Sequence, residues 1–139
     1  MKLILKKKKN LAEFGTFLGI AYQIIDDTLD YFSNTKEFGK NTGNDLKEGK
    51  MSLPLILCYK RCDKVEKKII EFIISKDRCG NNDFRKIVDL MNKYNVEMDC
   101  IKKACHFSTM AKDSLGSFSE STEKQKLLNL LDYLVKRKS

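Results

Sequence analysis

Residues 11–32 read LAEFGTFLGIAYQIIDDTLDYF, and their spacing decides the fold. Leu11, Phe14, Leu18, Ala21, Ile25, Leu29 and Phe32 recur at steps of three and four, the period of an amphipathic helix rather than of a strand. Ile24 widens that stripe, and Gly15 and Gly19 are expected to let a neighbouring helix come close. The segment ends in acid. Asp26 and Asp30 stand four residues apart, and Asp27 and Asp30 three, so all three carboxylates share one helical face. Like charges at these spacings repel by roughly 0.2–0.5 kcal/mol per pair. A hard divalent cation such as Mg²⁺ would offset that repulsion, because it selects carboxylate oxygens and keeps positions open for phosphate. Taken alone, the cluster reads as a solvated acidic face, as most charge clusters do. Its setting points to the cation: an apolar helix carries it, and a lysine-bearing polar segment follows it.

That segment, Ser33 to Met51, contains Gly39, Gly43 and Gly49 together with Lys36, Lys40, Lys47 and Lys50. Apart from Phe38, Leu46 and Met51 it has almost no apolar residue, so residues 33–51 read as a long loop at the active site. Its lysines suggest a phosphate subsite beside the metal subsite. Ser52-Leu53-Pro54 then looks like a helix start, with Ser52 as the N-cap and Pro54 in the first turn. Further helical patterns run to about Arg61, from Asp63 to Ser75, from Asp83 to Tyr94, from Val96 to Phe118 and from Glu120 to Lys138. No strand alternation and no internal repeat interrupts them. The expected class is all-α.

The chain has 139 residues and one proline, which suits a single domain with a buried core. Its formal charge is +8, of which Lys2 and Lys6 to Lys9 supply five, leaving about +3 elsewhere. Residues 1–10 are accordingly read as a basic, solvated N-terminal tail. No nucleic-acid motif with interleaved aromatics accompanies them, and no nucleic-acid partner is expected. No apolar run reaches the roughly 18–20 residues needed to span a bilayer, so any membrane contact would be peripheral. The five cysteines, Cys58, Cys62, Cys79, Cys100 and Cys105, are odd in number, and no Cys/His pair at ligand spacing completes a zinc site with Cys58 and Cys62. Free buried thiols in a reducing intracellular compartment, cytoplasm or organelle matrix, are the expectation.

The run from Gly15 to Asp30, ending Gln23-Ile24-Ile25-Asp26-Asp27-Thr28-Leu29-Asp30, resembles the second aspartate-rich region of the trans-isoprenyl diphosphate synthases. The pattern continues through Gly39-Lys40, Gly43-Asn44-Asp45-Leu46, Gly49-Lys50 and Ser52-Leu53-Pro54-Leu55. Tyr22 replaces the usual Phe, and Ser52 the usual Thr. Tyr133 to Arg137 looks like the closing helix of these enzymes.

This resemblance implies the C-terminal part of the isoprenoid synthase helical fold and a polyprenyl (trans-polyprenyl) diphosphate synthase. Such an enzyme condenses an allylic diphosphate with isopentenyl diphosphate by ionisation, alkylation and proton loss. Carried over, Asp26, Asp27 and Asp30 would hold Mg²⁺ against the allylic diphosphate, with Asp26 ligating directly and the other two partly through water. Lys40 and Lys50 would neutralise that diphosphate. Gln23 would face the reacting carbons, and Tyr22 would lie beside it on the substrate wall. The patterns around Asp45 and Pro54 lean towards medium- and long-chain products such as octaprenyl diphosphate.

The resemblance covers only the later two-fifths of such an enzyme. A second D-D-x-x-D is absent from the sequence, as is the Gly-Lys-x-x-Arg segment expected to bind isopentenyl diphosphate. Residues 1–139 are therefore read as one partial domain, inactive alone, working as a homodimer or heteromer in the complete enzyme. The alternative is a noncatalytic subunit that binds and regulates a complete prenyl synthase.

Overall fold

The computed structural model describes residues 1–33 and 42–137. Among them are seven helices and no strand: α1 (Lys2–Phe32), α2 (Asn44–Lys47), α3 (Leu53–Arg61), α4 (Lys64–Ile74), α5 (Asn81–Lys93), α6 (Val96–Ser114) and α7 (Thr122–Lys136). The all-α expectation holds. Residues 2–10, read above as a tail, are instead helical and continuous with the rest of α1. Leucine and lysine are good helix formers, and no Gly or Pro interrupts residues 2–14, so the helix propagates back from Leu11. Within the expected loop, Asn44–Lys47 forms a short helical turn. The pattern expected to reach Phe118 stops at Ser114, where i→i+3 bonds from Leu115, Gly116 and Phe118 tighten the chain.

The chain divides into two compact units, one of Met1–Ile25 with Ile101–Ser139, the other of Asp26–Cys100. In the first, Phe14, Ala111, Leu115 and Leu131 form a buried core, with Phe17, Leu18, Phe118, Leu127 and Leu128 packed around it. Phe17 stacks on Phe107 at 6.3 Å between ring centres. Gly15 and Gly19 do not mark a close helix approach: among the described residues nothing lies within 4 Å of where a β-carbon would sit on either. Together with Leu18, Tyr22, Leu130 and Leu134 they line a shallow hollow of about 280 Å³, so the missing side chains leave a gap instead of a contact.

In the second unit, α3, α4 and α5 pack on one another around Leu55, Ile70, Ile73, Ile87 and Met91. Asp63 begins α4 with a capping box. Its carboxylate accepts from the amides of Val65 and Glu66 at 2.8 and 2.9 Å, and Glu66 returns a bond from the Asp63 amide. The same Glu66 carboxylate accepts from Lys93 and from the Tyr94 hydroxyl at the far end of α5, clamping the two helices together. Those two bonds and the Asp63 amide hold its pKa down to about 2. All five cysteines are free. Cys58, Cys62 and Cys100 are buried, whereas Cys79 and Cys105 are only partly so.

Candidate functional site

The site is assembled in the second unit from the last two turns of α1 and the segment that returns to it at residues 42–52. Gly43 makes the return possible. Its φ of +81° belongs to the left-handed region, and a β-carbon there would sit 2.9 Å from Cδ2 of Phe84. Only glycine satisfies both constraints without strain. From this turn the Gly43 amide donates to the Asp30 carbonyl at 2.8 Å. The Asp30 carboxylate in turn accepts from the amides of Asn44 and Asp45, at 3.3 and 3.0 Å. Asp30 thus satisfies two amides at the start of α2, amides that a four-residue helix cannot pair internally.

That fastening brings charges together. Lys50 donates to Oδ1 of Asp27 at 2.9 Å and lies 3.8 Å from Oδ1 of Asp45. Asp27 is buried, with 7 % of its surface exposed, while the Lys50 side chain keeps 46 % of its own. The hydrogen bond to Asp27 raises the Lys50 pKa, and the charges of Asp27, Asp45 and Asp26 add to it. Burial pushes the Asp30 carboxyl up, against the pull of its two amide donors. Burial likewise raises Asp45, and the neighbouring Asp30 charge adds to the effect. Asp26 is exposed beside them.

Beneath the carboxylates lies Tyr31, buried and stacked on Phe84 at 5.9 Å with ring planes 10° apart. Burial and the charges of Asp30 and Asp45 raise its pKa, and the Ser52 hydroxyl opposes that shift. Among the described residues neither the Tyr31 nor the Ser52 hydroxyl completes a hydrogen bond of good geometry, although both are buried. Ser52 occupies the N-cap position of α3 without a side-chain cap bond, and Pro54 sits in the first turn.

Of the residues singled out from the sequence, Asp27, Asp30 and Lys50 are brought together here. Lys40 lies outside the described residues. Gln23 and Tyr22 belong to the first unit, both exposed, and the Arg137 guanidinium covers the Tyr22 ring at 5.2 Å. Asp45 is the residue whose part was missed. Its place in Gly43-Asn44-Asp45 was visible, but only the turn to Asp30 reveals it as a fourth carboxylate.

Among the described residues no three His, Cys, Asp or Glu side chains converge tightly enough to cage a metal ion. The donor chemistry still suits Mg²⁺, which is commonly held by one or two carboxylates and completed by substrate phosphates and water. Asp26, Asp27 and Asp30 supply hard carboxylate oxygens of that kind; Asp27 also accepts from Lys50 and Asp30 from two backbone amides, each keeping further acceptor sites.

Residues 2–91 match the family model described as polyprenyl synthetase. The chain belongs to that family. This polyprenyl synthetase chain is 31 % identical over 125 residues to the octaprenyl diphosphate synthase of Haemophilus influenzae, covering 89 % of itself and 37 % of that protein. It is also 31 % identical over 113 residues to the geranylgeranyl diphosphate synthase of Sulfolobus acidocaldarius, covering 81 % of itself and 34 % of the relative. Among solved structures, a polyprenyl synthase from Caulobacter crescentus complexed with calcium and isoprenyl diphosphate superposes with a TM-score of 0.87 at 32 % identity. That match covers 97 % of this chain and 41 % of the other. The chain therefore spans about two-fifths of the length of the proteins it matches.

Proposed function

We propose that this chain is the C-terminal portion of a trans-polyprenyl diphosphate synthase. It supplies the allylic-diphosphate half of a site where isopentenyl diphosphate is added to an allylic diphosphate in a Mg²⁺-dependent condensation. The observation that carries the reading is the convergence of Asp27, Asp30, Asp45 and Lys50 in a chain of the polyprenyl synthetase family. Asp26, Asp27 and Asp30 are the residues that would hold the cation. When bound, it supplies positive charge to the diphosphate oxygens as the carbon–oxygen bond ionises.

The chain's own groups do the rest. Lys50 places a fixed cation beside the carboxylates, where negative charge grows on the leaving diphosphate. Asp30 keeps Gly43, Asn44 and Asp45 docked, so that Lys50 stands against Asp27. Lys40 adds a second cation, and Gln23, one helical turn before Asp26, faces the reacting carbons with Tyr22 beside it. The complementary carboxylates and the isopentenyl diphosphate subsite come from outside these 139 residues, in a homodimeric or heteromeric enzyme. Medium- and long-chain products such as octaprenyl diphosphate are the favoured outcome. The free thiols suit a reducing intracellular compartment.

Calorimetric titration of the 139-residue chain with inorganic diphosphate tests the reading directly. Binding should require Mg²⁺ and should vanish in Asp26→Ala with the helical circular dichroism unchanged. Equal diphosphate affinity with and without Mg²⁺, or in Asp26→Ala, would sink the assignment.

A further inference from the structure

Two hydroxyls beneath the carboxylates have no part in the site described above. Tyr31 and Ser52 are each 3 % exposed, yet among the described residues neither hydroxyl oxygen has a hydrogen-bond partner. Taking a hydroxyl out of water without a partner is unfavourable, and packing calls for neither group. The Tyr31 ring meets Phe84 through its face, as a phenylalanine would. Ser52 begins α3 without a side-chain cap bond. Stability of the free chain therefore gains nothing from either oxygen.

Asp45 has the opposite shortage. Its side chain is only 15 % exposed, and the one cation paired with it among the described residues is Lys50 at 3.8 Å, outside hydrogen-bond range. Lys50 donates instead to Asp27 at 2.9 Å, while Asp30 already accepts from two amides. The charges of Asp30, Asp45 and Asp27 all bear on the Tyr31 phenol, as does the Ser52 hydroxyl. Two donors short of an acceptor and one acceptor short of a donor thus lie within electrostatic reach of one another.

What joins them follows from the prenyl-transfer reading, on which this inference rests. An ammonium drawn to a diphosphate leaves Asp27 and Asp45 behind. We propose that Tyr31 and Ser52 are positioning residues of the diphosphate site: as Lys50 turns to the diphosphate, the Tyr31 hydroxyl, with Ser52 beside it, donates to the Asp45 carboxylate and keeps the turn from Gly43 to Asp45 against α1. The hydroxyls replace the cation that Asp45 gives up. A bond to an ionised acceptor is of the stronger kind. Because it forms only in the occupied site, its free energy goes to ligand binding and not to the stability of the free chain.

Tyr31→Phe and Ser52→Ala separate this role from a purely structural one. In calorimetric titration with inorganic diphosphate and Mg²⁺, Tyr31→Phe should weaken affinity about tenfold, the worth of one hydrogen bond to a charged group. Its urea midpoint should stay level or rise. Ser52→Ala should also bind more weakly, whereas Ser52→Thr, which keeps the hydroxyl, should bind as wild type does. The chain has five tyrosines, so tyrosine labelled at Cζ gives five signals in carbon NMR. The one lost in Tyr31→Phe should move when Mg²⁺ and diphosphate are added together. Unchanged affinity in Tyr31→Phe, or a Tyr31 signal that stays in place as wild type binds, overturns the proposal and leaves the metal–diphosphate reading standing. A lower urea midpoint in Tyr31→Phe overturns it too, because the hydroxyl would then be paired in the free chain. Wild type that binds no diphosphate in the presence of Mg²⁺ removes the reading and this inference together.

Discussion

Asp30 shows how one side chain in an acidic motif is turned from charge to architecture. Its carboxylate holds the amides of Asn44 and Asp45, and Gly43 supplies the left-handed turn that brings them there. Asp30→Ala should leave two amides unpaired and cost about 1–3 kcal/mol, read as a lower urea midpoint at unchanged slope. Gly43→Ala meets both the positive φ and the Phe84 ring, and should cost about 2 kcal/mol in the same measurement. An unaltered midpoint in either variant would show that the turn is not held in this way. Glu66 carries a pH dependence. Its pKa falls from the ordinary 4.5 to about 2 through Lys93, Tyr94 and the Asp63 amide. The stability it contributes is therefore complete above about pH 4.5 and is lost as pH drops towards 2. Acid-unfolding curves of Glu66→Gln should be flatter than wild type across that window.

At the scale of elements, the second unit depends on how α4 begins and where α5 ends. Asp63 caps the first turn of α4, and Glu66 in that turn reaches Lys93 and Tyr94 at the end of α5. Asp63→Ala should destabilise the protein by about 1 kcal/mol, as seen in denaturant unfolding, and should loosen amide exchange first at Val65 and Glu66. Unchanged protection at those two amides would remove the capping argument. α1 illustrates a different balance. Its apolar stripe from Leu11 to Phe32 was legible because burial imposes the helical period, and Phe14, Ala21, Ile24 and Ile25 are indeed buried. Residues 2–10 carry no such stripe, so periodicity could not announce a helix there. Propensity and propagation from the packed part supplied it.

At the scale of the whole molecule, the chain covers about two-fifths of its relatives and carries one aspartate-rich motif. The 139-residue chain alone should therefore incorporate no isopentenyl diphosphate onto geranyl or farnesyl diphosphate, measured with labelled substrate and Mg²⁺. Measurable elongation would overturn the view that half of the site lies elsewhere.

The order of motifs from Gly15 to Leu55, the helical period and the run of carboxylates were properties of the chain itself. They were enough for the all-α class, for the family, and for naming Asp26, Asp27, Asp30 and Lys50 as candidates. Their division of labour was not. Which carboxylate faces a lysine and which pairs with amides depends on a contact fourteen or fifteen residues away in sequence. That contact exists only because Gly43 turns against Phe84. Local spacing reports which residues share a helical face, but the partner of a buried charge is chosen by whatever the rest of the fold brings within hydrogen-bond reach. Tertiary structure thus decided that Asp30 fastens the loop, that Asp45 joins the cluster, and that Lys50 rests on Asp27.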